Sequence, residues 1–415
     1  MTSPSQKDVT IVGAGIVGIC CALSILEKGK SVRLVDPGEP GQGASAGNAG
    51  VISPWSCIPQ SVPGLWKKIP GWLLDPEGPI AVRPGHLPKV LPWALKFLKA
   101  GRAENLPAIS HAMSALVRPN VDIYRRHLAG TGNEHLLQDS WYIHAYRNAA
   151  AANLNDLTWK LRASLDAPLE LVSGDELREI EPDLSTDYNA AILIKDQARA
   201  MSPGRIGAVL ADKVRSLGGD FVKTRVKYLR SQNDGWVVET EAGNIHSRQV
   251  VAAAGAWSMQ LLEPHGARMP LEAERGYHLL FKNPGVELKN SIMEVDAKFV
   301  SSSMEMGLRS AGTAEFAGHD APPNYRRARI LARMTKRMLP ALNTQDTEEW
   351  MGVRPSLPDS LPCIDEIPGK AGLFAAFGHG HYGLGMAPMT GRIIADLVTQ
   401  TTPNIDLRPY ASTRF

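Results

Sequence analysis

Residues 8–36 constrain the fold most strongly, because they contain an apolar strand, a glycine turn, a helix-length apolar run and a second strand ending in an acid. Gly13, Gly15 and Gly18 have the GxGxxG spacing, which allows a tight turn, close approach to a pyrophosphate and close packing of helix on strand. The helix N-terminus adds free N–H groups and a positive dipole end. Asp36 follows where a carboxylate can bind a ribose diol. The order of these parts predicts a dinucleotide-binding βαβ unit rather than a glycine-containing core helix.

The nearly continuous apolar run from Val9 to Leu26 also suits a membrane span or a signal peptide. Only Lys7 supplies the positive charge expected before a signal peptide, and no convincing cleavage site follows. Inner parallel strands are buried on both faces, which explains the apolarity. We therefore assign the run to the βαβ unit and expect a cytoplasmic protein whose mature chain starts at Met1.

Length and composition set the broad class. A chain of 415 residues predicts two domains. Its 45 basic and 42 acidic residues are spread throughout, so no nucleic-acid partner is expected. Four cysteines without a CxxC pair indicate a reducing compartment and neither a zinc site nor a redox dithiol, and no metal is expected.

Two further segments stand out after the βαβ unit. Residues 37–54 form a glycine-rich loop that is too long for a simple connection, and such loops are usually functional. Residues 66–99 combine tryptophan, proline and lysine. This second segment either covers the domain or contacts a membrane surface.

A second glycine cluster lies at residues 373–398, where strand, glycine turn and helix follow each other again. Gly378, Gly380 and Gly383 formally match GxGxxG, but no later strand ends in an acid. A helix N-terminus can instead point its dipole at the electron-rich edge of a reduced flavin. This interpretation is favoured over a second nucleotide site.

With these segments considered together, the chain resembles the D-amino-acid oxidase-type superfamily of FAD-dependent oxidoreductases from end to end. The shared motifs are GAGIVG with Asp36, GASAGNAG, VVAAAGAWS, GVRP (352–355) and GHGHYGLG. The loop NAG-x-ISP resembles the D-amino acid dehydrogenase group. The strings LDPEGP, ERGYH (274–278), MEMGLRSAGTAEFAG (304–318) and WMGVRPSLPDSLP (350–362) resemble the glyphosate oxidoreductase type more closely still.

The resemblance implies an α/β fold with a discontinuous Rossmann-like FAD-binding domain and an α+β substrate domain with a mixed sheet. The FAD-binding domain is expected to comprise residues 1–85, 195–268 and 350–415. The substrate domain is expected to comprise the mainly helical residues 86–194 and a sheet formed by residues 269–349.

The resemblance also implies which residues hold FAD. Some relatives attach FAD through a cysteine near the Arg-Pro segment, but Cys363 does not match that position, so FAD is expected to be non-covalent. By motif position, the expected cofactor contacts are Gly13, Ala14, Gly15, Ile16, Val17, Gly18, Asp36, Ser45, Asn48, Ala49, Gly50, Val51, Val226, Ala254, Gly255, Gly378, His379, Gly380, His381 and Gly383.

Three arginines are candidates for binding an anionic substrate. Arg354 matches the superfamily's Arg-Pro position, where the resemblance implies a clamp on the substrate carboxylate. A planar guanidinium binds a carboxylate bidentately. An interdomain salt bridge is the alternative. Arg309 and Arg275 are candidates for a second anion contact, with ordinary ion pairing as the alternative.

Tyr277, His278 and His381 are candidate pocket residues by the same resemblance, and buried structural roles are the alternative. A histidine with a pKa near neutrality, either His278 or His381, would take a proton from the substrate ammonium.

The resemblance implies oxidation of the C–N bond of glycine-like or N-substituted amino acids by hydride transfer to flavin N5, giving an imine that hydrolyses. The alternative is a D-amino acid dehydrogenase that passes electrons to a quinone or dye. A flavin-binding protein without turnover is a third interpretation. The implied partners are a small-molecule amino acid or amine and an electron acceptor, oxygen or quinone. Peripheral contact with the inner membrane stays open.

Overall fold

Two β-sheets, of eight and ten strands, organise residues 6–415, the part of the chain that the computed structural model describes. The strands are β1 (Lys7–Val12), β2 (Val32–Asp36), β3 (Val51–Ile52), β4 (Ile80–Val82), β5 (Leu137–Tyr146), β6 (Leu169–Ser173), β7 (Ala190–Ala200), β8 (Asp220–Lys223), β9 (Val226–Gln232), β10 (Gly235–Thr240), β11 (Gly243–Ala252), β12 (Glu272–Phe281), β13 (Ser291–Glu294), β14 (Phe299–Met304), β15 (Gly307–Phe316), β16 (Thr347–Ser356), β17 (Cys363–Glu366) and β18 (Leu373–Phe377).

Helices connect and cover these strands. They are α1 (Ile16–Glu27), α2 (Ile69–Leu74), α3 (Leu87–Ala100), α4 (Leu106–Val117), α5 (Asn120–Leu128), α6 (Leu157–Ser164), α7 (Gly174–Ile180), α8 (Pro203–Ser216), α9 (Ser258–Leu262), α10 (Arg326–Met338) and α11 (Gly383–Val398).

The eight-stranded sheet has the order β17-β18-β11-β1-β2-β8, and β10 and β9 extend it from β11. Strands β18, β11, β1, β2 and β8 run parallel. The predicted βαβ unit is confirmed as β1, α1 and β2, so the apolar run after Lys7 is a buried strand and a buried helix. No helix within residues 6–415 has the length and apolarity needed to cross a membrane.

Glycine packing explains why the turn of this unit is so tight. Gly13 has a φ of 112°, which favours glycine, and a Cβ on Gly18 would lie 2.0 Å from the Gly13 carbonyl oxygen. On the other side of α1, a Cβ on Gly391 of α11 would lie 2.4 Å from the Cys20 carbonyl oxygen. Cys20 and Cys21 are fully buried in this helix contact and are core residues.

The ten-stranded sheet has the order β16-β12-β15-β14-β13-β5-β7-β3, with β4 on β15 and β6 on β7. One face packs on α10 through a core that includes Leu279, Phe281, Leu331 and Met338. Directly paired residues point to the same side of a sheet. One row of paired residues crosses the other face: His144, Met293, Val300, Ala311, His278 and Trp350.

Strand membership alternates between the sheets along the chain, which is the discontinuous arrangement that the sequence predicts. Within the segment 269–349, for which a sheet is predicted, β12–β15 form neighbouring strands of the ten-stranded sheet. Strands β3, β4 and β16 also belong to this ten-stranded sheet, although they lie in segments 1–85 and across the proposed boundary at 350. The five-segment division itself stays a prediction.

Candidate active site

A continuous cavity of about 1670 Å³ is lined by residues of both sheets. It reaches from the turn after β1, past residues 45–51 of the glycine-rich loop, to the second glycine cluster before α11. The cavity therefore joins the two glycine clusters that the sequence singled out.

The first end of the cavity lies at the N-terminus of α1. The N-cap residue Gly15 supplies no side-chain cap and the first turn of this helix has no acidic residue, so the positive end of the helix faces the cavity. Gly15 has φ −69° and ψ 174°, and a Cβ there would meet only Ser45 Oγ, at 3.6 Å. Because Gly15 has no side chain, an open space, the cradle, remains beside the N-terminus of α1. Ser45 Oγ also accepts a hydrogen bond of 3.1 Å from the Ile16 N–H.

Asp36 lines the same end and fixes its shape. One carboxylate oxygen accepts from the Ala14 N–H and the other from the Gly38 N–H, each at 2.8 Å. Each oxygen keeps a free lone pair, so the carboxylate can still accept from a ribose hydroxyl. Val226 and Gly255 line the neighbouring wall, and no atom lies within 4 Å of a Cβ built on Gly255.

Most of the predicted cofactor contacts line the cavity. They are Gly13, Ala14, Gly15, Ile16, Val17, Asp36, Ser45, Asn48, Ala49, Val51, Val226, Ala254, Gly255, His379, Gly380, His381 and Gly383. Gly18, Gly50 and Gly378 lie behind the wall and allow close packing instead. A Cβ on Gly50 (φ 83°) would lie 2.8 Å from the Ala200 carbonyl oxygen, and one on Gly378 would lie 2.3 Å from Leu357.

His379 and Tyr382 fix the second glycine cluster. His379 is buried, its Nε2 lies 3.0 Å from Thr390 Oγ1, and burial lowers its pKa to about 3. The Tyr382 hydroxyl donates to the Ile58 carbonyl oxygen at 2.6 Å and accepts from Gln60 at 2.9 Å. The start of α11 is thereby tied to the chain that follows the glycine-rich loop.

Arg309 holds the glycine-rich loop rather than an anion. One guanidinium nitrogen donates to the carbonyl oxygens of Ala46 and Asn48, at 2.7 and 2.8 Å. Arg309 is buried and does not line the cavity. Its geometry gives it a supporting role behind the expected cofactor.

His278 supports the same loop. Its Nδ1 lies 3.2 Å from the Gly47 carbonyl oxygen, and its ring stacks on Trp350 with centroids 4.8 Å apart. The indole also fills the space beside Gly47 and Gly352, where a Cβ would clash with it. Burial and the nearby Arg309 lower the pKa of His278 to about 3. The prediction of a pKa near neutrality is therefore wrong for His278, because burial disfavours the charged ring.

Tyr277 and Arg275 belong to a buried network on Glu315. The Tyr277 hydroxyl donates to Glu315 and accepts from the Asn324 N–H at 3.0 Å. Arg275 is fully buried, lies 3.5 Å from Glu315 and donates to backbone carbonyl oxygens of residues 321 and 322. Arg275 makes an ordinary ion pair and does not line the cavity, whereas Tyr277 is held by this network and also lines the cavity.

Arg354 and His381 come together on a residue that the sequence analysis missed, Glu274. One Glu274 carboxylate oxygen lies 2.7 Å from Arg354 Nη1 and 3.1 Å from His381 Nε2. The other accepts from the Ser356 hydroxyl at 2.8 Å. Burial alone would raise the pKa of this carboxyl, but its three partners hold it well below its usual range. Arg354 therefore has a buried counter-ion of its own.

Strand pairing explains the cluster. Glu274 of β12 lies directly opposite Arg354 of β16. The guanidinium occupies the space beside Gly276, where a Cβ would lie 2.2 Å from Arg354 Cζ. Glu274 and Gly276 of the ERGYH string thus position the Arg354 guanidinium. Glu274, Arg354 and His381 all line the cavity.

These features fit FAD. The N-terminus of α1, with the space beside Gly15, suits a pyrophosphate, Asp36 retains acceptor capacity for a ribose, and the cavity leads on to the α11 N-terminus. Beyond the cofactor, the Glu274 cluster offers a guanidinium and an imidazole to a small anionic substrate.

Solved structures show the same fold. Glycine oxidase from Geobacillus kaustophilus matches with a TM-score of 0.76 at 23% identity, over 99% of this chain and 100% of that chain. Iminodiacetate oxidase from a Chelativorans species matches with a TM-score of 0.74 at 21% identity, over 97% and 98%. The predicted α/β fold of an FAD-dependent oxidoreductase is confirmed.

Sequence relatives agree with the fold. A D-amino-acid oxidase from Bradyrhizobium diazoefficiens is 40% identical over 420 residues, which cover 99% of this chain and 100% of the relative. A D-amino acid dehydrogenase from Rhizobium rhizogenes is 27% identical over 415 residues, covering 98% and 99%. The model of the DAO family, described as FAD dependent oxidoreductase, matches residues 8–397. The chain therefore belongs to the DAO family of FAD-dependent oxidoreductases.

Proposed function

We propose that the protein oxidises the C–N bond of glycine-like or N-substituted amino acids, giving an imine that hydrolyses to an oxo acid and an amine. The observation that carries this proposal is the Glu274–Arg354–His381 cluster in the wall of the FAD cavity. Glycine oxidase and iminodiacetate oxidase among the structural neighbours support the substrate class. Bound FAD supplies a two-electron acceptor that takes a hydride at N5.

Arg354 binds the substrate carboxylate in this proposal. Its Nη1 is committed to Glu274, but a guanidinium has five N–H donors, so a second carboxylate can still be bound. Glu274 and the space beside Gly276 fix the plane of the guanidinium. The carboxylate, once bound, orients the adjacent C–H bond in the cavity.

His381 is the group that takes the proton of the substrate ammonium. The free nitrogen lone pair is required before the C–H bond can be oxidised. His381 lines the cavity, and its Nε2 lies 3.1 Å from a Glu274 carboxylate oxygen, which holds the ring in the cavity wall. His278 is unsuited to the task, because its pKa is about 3 and its ring is covered by the glycine-rich loop.

A D-amino acid dehydrogenase that reduces a quinone or dye is the second candidate, and one surface favours it. Leu87, Leu91 and Leu95 lie on one side of α3 at i, i+4 and i+8, and each is more than half exposed. We call these three residues, with Trp66 and Leu74, the apolar face. Five lysines occur in the same stretch of the sequence: Lys67, Lys68, Lys89, Lys96 and Lys99.

The apolar face adjoins the cavity, since Leu87 and Leu91 also line it. Exposed apolar side chains in a lysine-rich segment suit the surface of an anionic membrane. A hydrophobic acceptor such as a quinone would then reach the cavity from the lipid side. We include peripheral membrane contact through the apolar face in the proposed function.

Replacing Gly15 by Val should abolish FAD retention without unfolding the chain. The backbone angles of Gly15 suit any residue, so the variant can fold, but its side chain fills the cradle at the α1 N-terminus. The purified wild-type protein should be yellow and release its flavin on acid denaturation, whereas Gly15→Val should be colourless with an unchanged far-UV circular dichroism spectrum. Gly85→Val is the control, because no atom lies near a Cβ built there. Flavin colour that stays with acid-precipitated wild-type protein would contradict non-covalent binding.

Replacing Arg354 by Lys should lower kcat/KM for carboxylate substrates about 30-fold or more while the flavin spectrum stays nearly native. Lysine keeps the charge but loses the two-pronged contact, which corresponds to about 2–5 kcal/mol at a dry site. Anaerobic flavin reduction measures the effect. Arg329→Lys is the control, since Arg329 also pairs with a glutamate but lies on the exposed part of α10. Wild-type kcat/KM of Arg354→Lys on every carboxylate substrate would show that the clamp lies elsewhere.

Liposome flotation tests the apolar face. Wild-type holoenzyme should float with anionic liposomes at low salt, and the triple variant Leu87→Gln, Leu91→Gln, Leu95→Gln should remain at the bottom of the gradient. The double variant Leu171→Gln, Leu217→Gln removes exposed leucines elsewhere and should float like wild type. Wild-type protein that stays at the bottom with anionic liposomes would end this part of the proposal.

A further inference from the structure

We propose that Arg162, Lys298 and Tyr142 form a second anion subsite in the cavity wall, which binds a second anionic group on the nitrogen substituent of the substrate. The group is a carboxylate or a phosphonate, and the preferred substrates are dianionic N-substituted glycines. This inference rests on the proposed function and names the substrate class for it.

Three separate elements bring the subsite together. Arg162 lies in the last turn of α6, Tyr142 on β5, and Lys298 in the turn between β13 and β14. Strand β13 pairs with both β5 and β14, so the three residues approach one region, and all three line the cavity. The same wall contains His144, two residues after Tyr142 on the same face of the strand.

A row of rings positions the Arg162 guanidinium. Its central carbon lies 4.7 Å from the centroid of the Trp159 ring. Trp159 contacts His144 edge-on at 4.9 Å, and His144 contacts Tyr142 at 4.8 Å. A guanidinium held against an aromatic face loses little conformational freedom when an anion binds.

Hydrogen-bonding groups of the subsite are left without partners. Arg162 Nε and His144 Nε2 are buried and have none, and the Tyr142 hydroxyl has none within the described residues. Buried polar atoms without partners are costly, so their convergence on one cavity wall points to a ligand. A carboxylate or phosphonate can accept from all three groups, with His144 in the appropriate tautomer.

The two cations of the subsite also lack an ion-pair partner at contact distance within residues 6–415. Arg354 has Glu274 as its counter-ion, whereas Arg162 and Lys298 make no ion pair with any of residues 6–415. The titratable groups with the largest effect on Arg162 are a thiol and three tyrosine hydroxyls, which are neutral at neutral pH, and His144 interacts with it as well. Lys68 adds further positive charge near Lys298, while Asp296 and Glu294 act on it at longer range.

The position in the cavity suits a substrate that extends away from Arg354. Tyr382 interacts electrostatically with both Arg162 and Glu274, and it directly follows His381. Tyr382 is therefore near both Arg162 and the Glu274–Arg354 pair in the cavity wall. The phosphates of FAD are expected at the α1 N-terminus, so the cations near Tyr142 are left for another anion.

Sarcosine and iminodiacetate provide a matched substrate pair, because they differ by one carboxylate on the nitrogen substituent. Wild-type holoenzyme should reduce its flavin anaerobically with a higher kcat/KM for iminodiacetate. Arg162→Met keeps the packing on Trp159 and should lower kcat/KM for iminodiacetate about 10- to 100-fold. The value for sarcosine should change by no more than about threefold. Lys298→Met and Tyr142→Phe should act in the same direction with smaller effects.

Lys160→Met is the control, because Lys160 lies on the same helix but is exposed and does not line the cavity. It should leave both substrates unchanged. FAD content and thermal midpoint of each variant identify folding defects, and Tyr142→Phe, which removes a single hydroxyl, tests the subsite if Arg162→Met does not fold. Equal effects of Arg162→Met on sarcosine and iminodiacetate, or no effect on either, would overturn the subsite.

Binding of unreactive anions separates the subsite from the proposed function. Malonate should perturb the flavin spectrum of wild-type holoenzyme at lower concentration than acetate, and Arg162→Met should weaken malonate about 10-fold or more without changing acetate. If no amino acid reduces the flavin but this difference holds, the proposed function fails and the anion subsite stands. If malonate binds no better than acetate to wild-type protein, the subsite is wrong even if amino acids are oxidised.

Discussion

The buried carboxylate of Glu274 is the interaction on which the candidate site depends. It joins β12 to β16 through Arg354 and to the second glycine cluster through His381. Breaking a buried ion pair by removing one partner costs about 3–5 kcal/mol, because the remaining charge is left uncompensated. The same contact that stabilises the sheet edge therefore also fixes Arg354 and His381, the two side chains of the proposed substrate site.

A second constraint fixes the loop opposite this cluster. Arg309, His278 and Trp350 rise from the ten-stranded sheet and bind or cover residues 46–48. On its other side the loop contacts the N-terminus of α1 through Ser45. The ten-stranded sheet, the glycine-rich loop and the N-terminus of α1 thus pack together around the cavity. Arg309 and His278, which the sequence suggested as active-site residues, contact the loop backbone instead.

Local sequence was enough to predict the parts whose partners are close along the chain. The turn of Gly13, Gly15 and Gly18 was predicted because the strand, turn and helix it joins are consecutive, and the same holds for the strand and helix around the second glycine cluster. Arg354 and His381 were found by motif position, and the structure brings them together.

Residues whose roles depend on distant pairing were missed or assigned differently. Glu274 acquires its role from the register of β12 against β16, which no local pattern reveals. Arg309 was a candidate anion contact, but its partners are backbone carbonyl oxygens more than 260 residues away. Arg162 had no motif around it. It became a candidate for the anion subsite because it has no counter-ion within the described residues. That property exists only in three dimensions.

The most direct test of the central claim is an anaerobic titration of the holoenzyme with glycine, sarcosine, iminodiacetate, glyphosate and a panel of D-amino acids. Oxidation of glycine-like or N-substituted amino acids predicts that these compounds bleach the flavin absorption in a single turnover and do so faster than the D-amino acids. Faster bleaching by D-amino acids would favour the dehydrogenase alternative. A flavin that dithionite reduces but no amino acid reduces would contradict the proposed function.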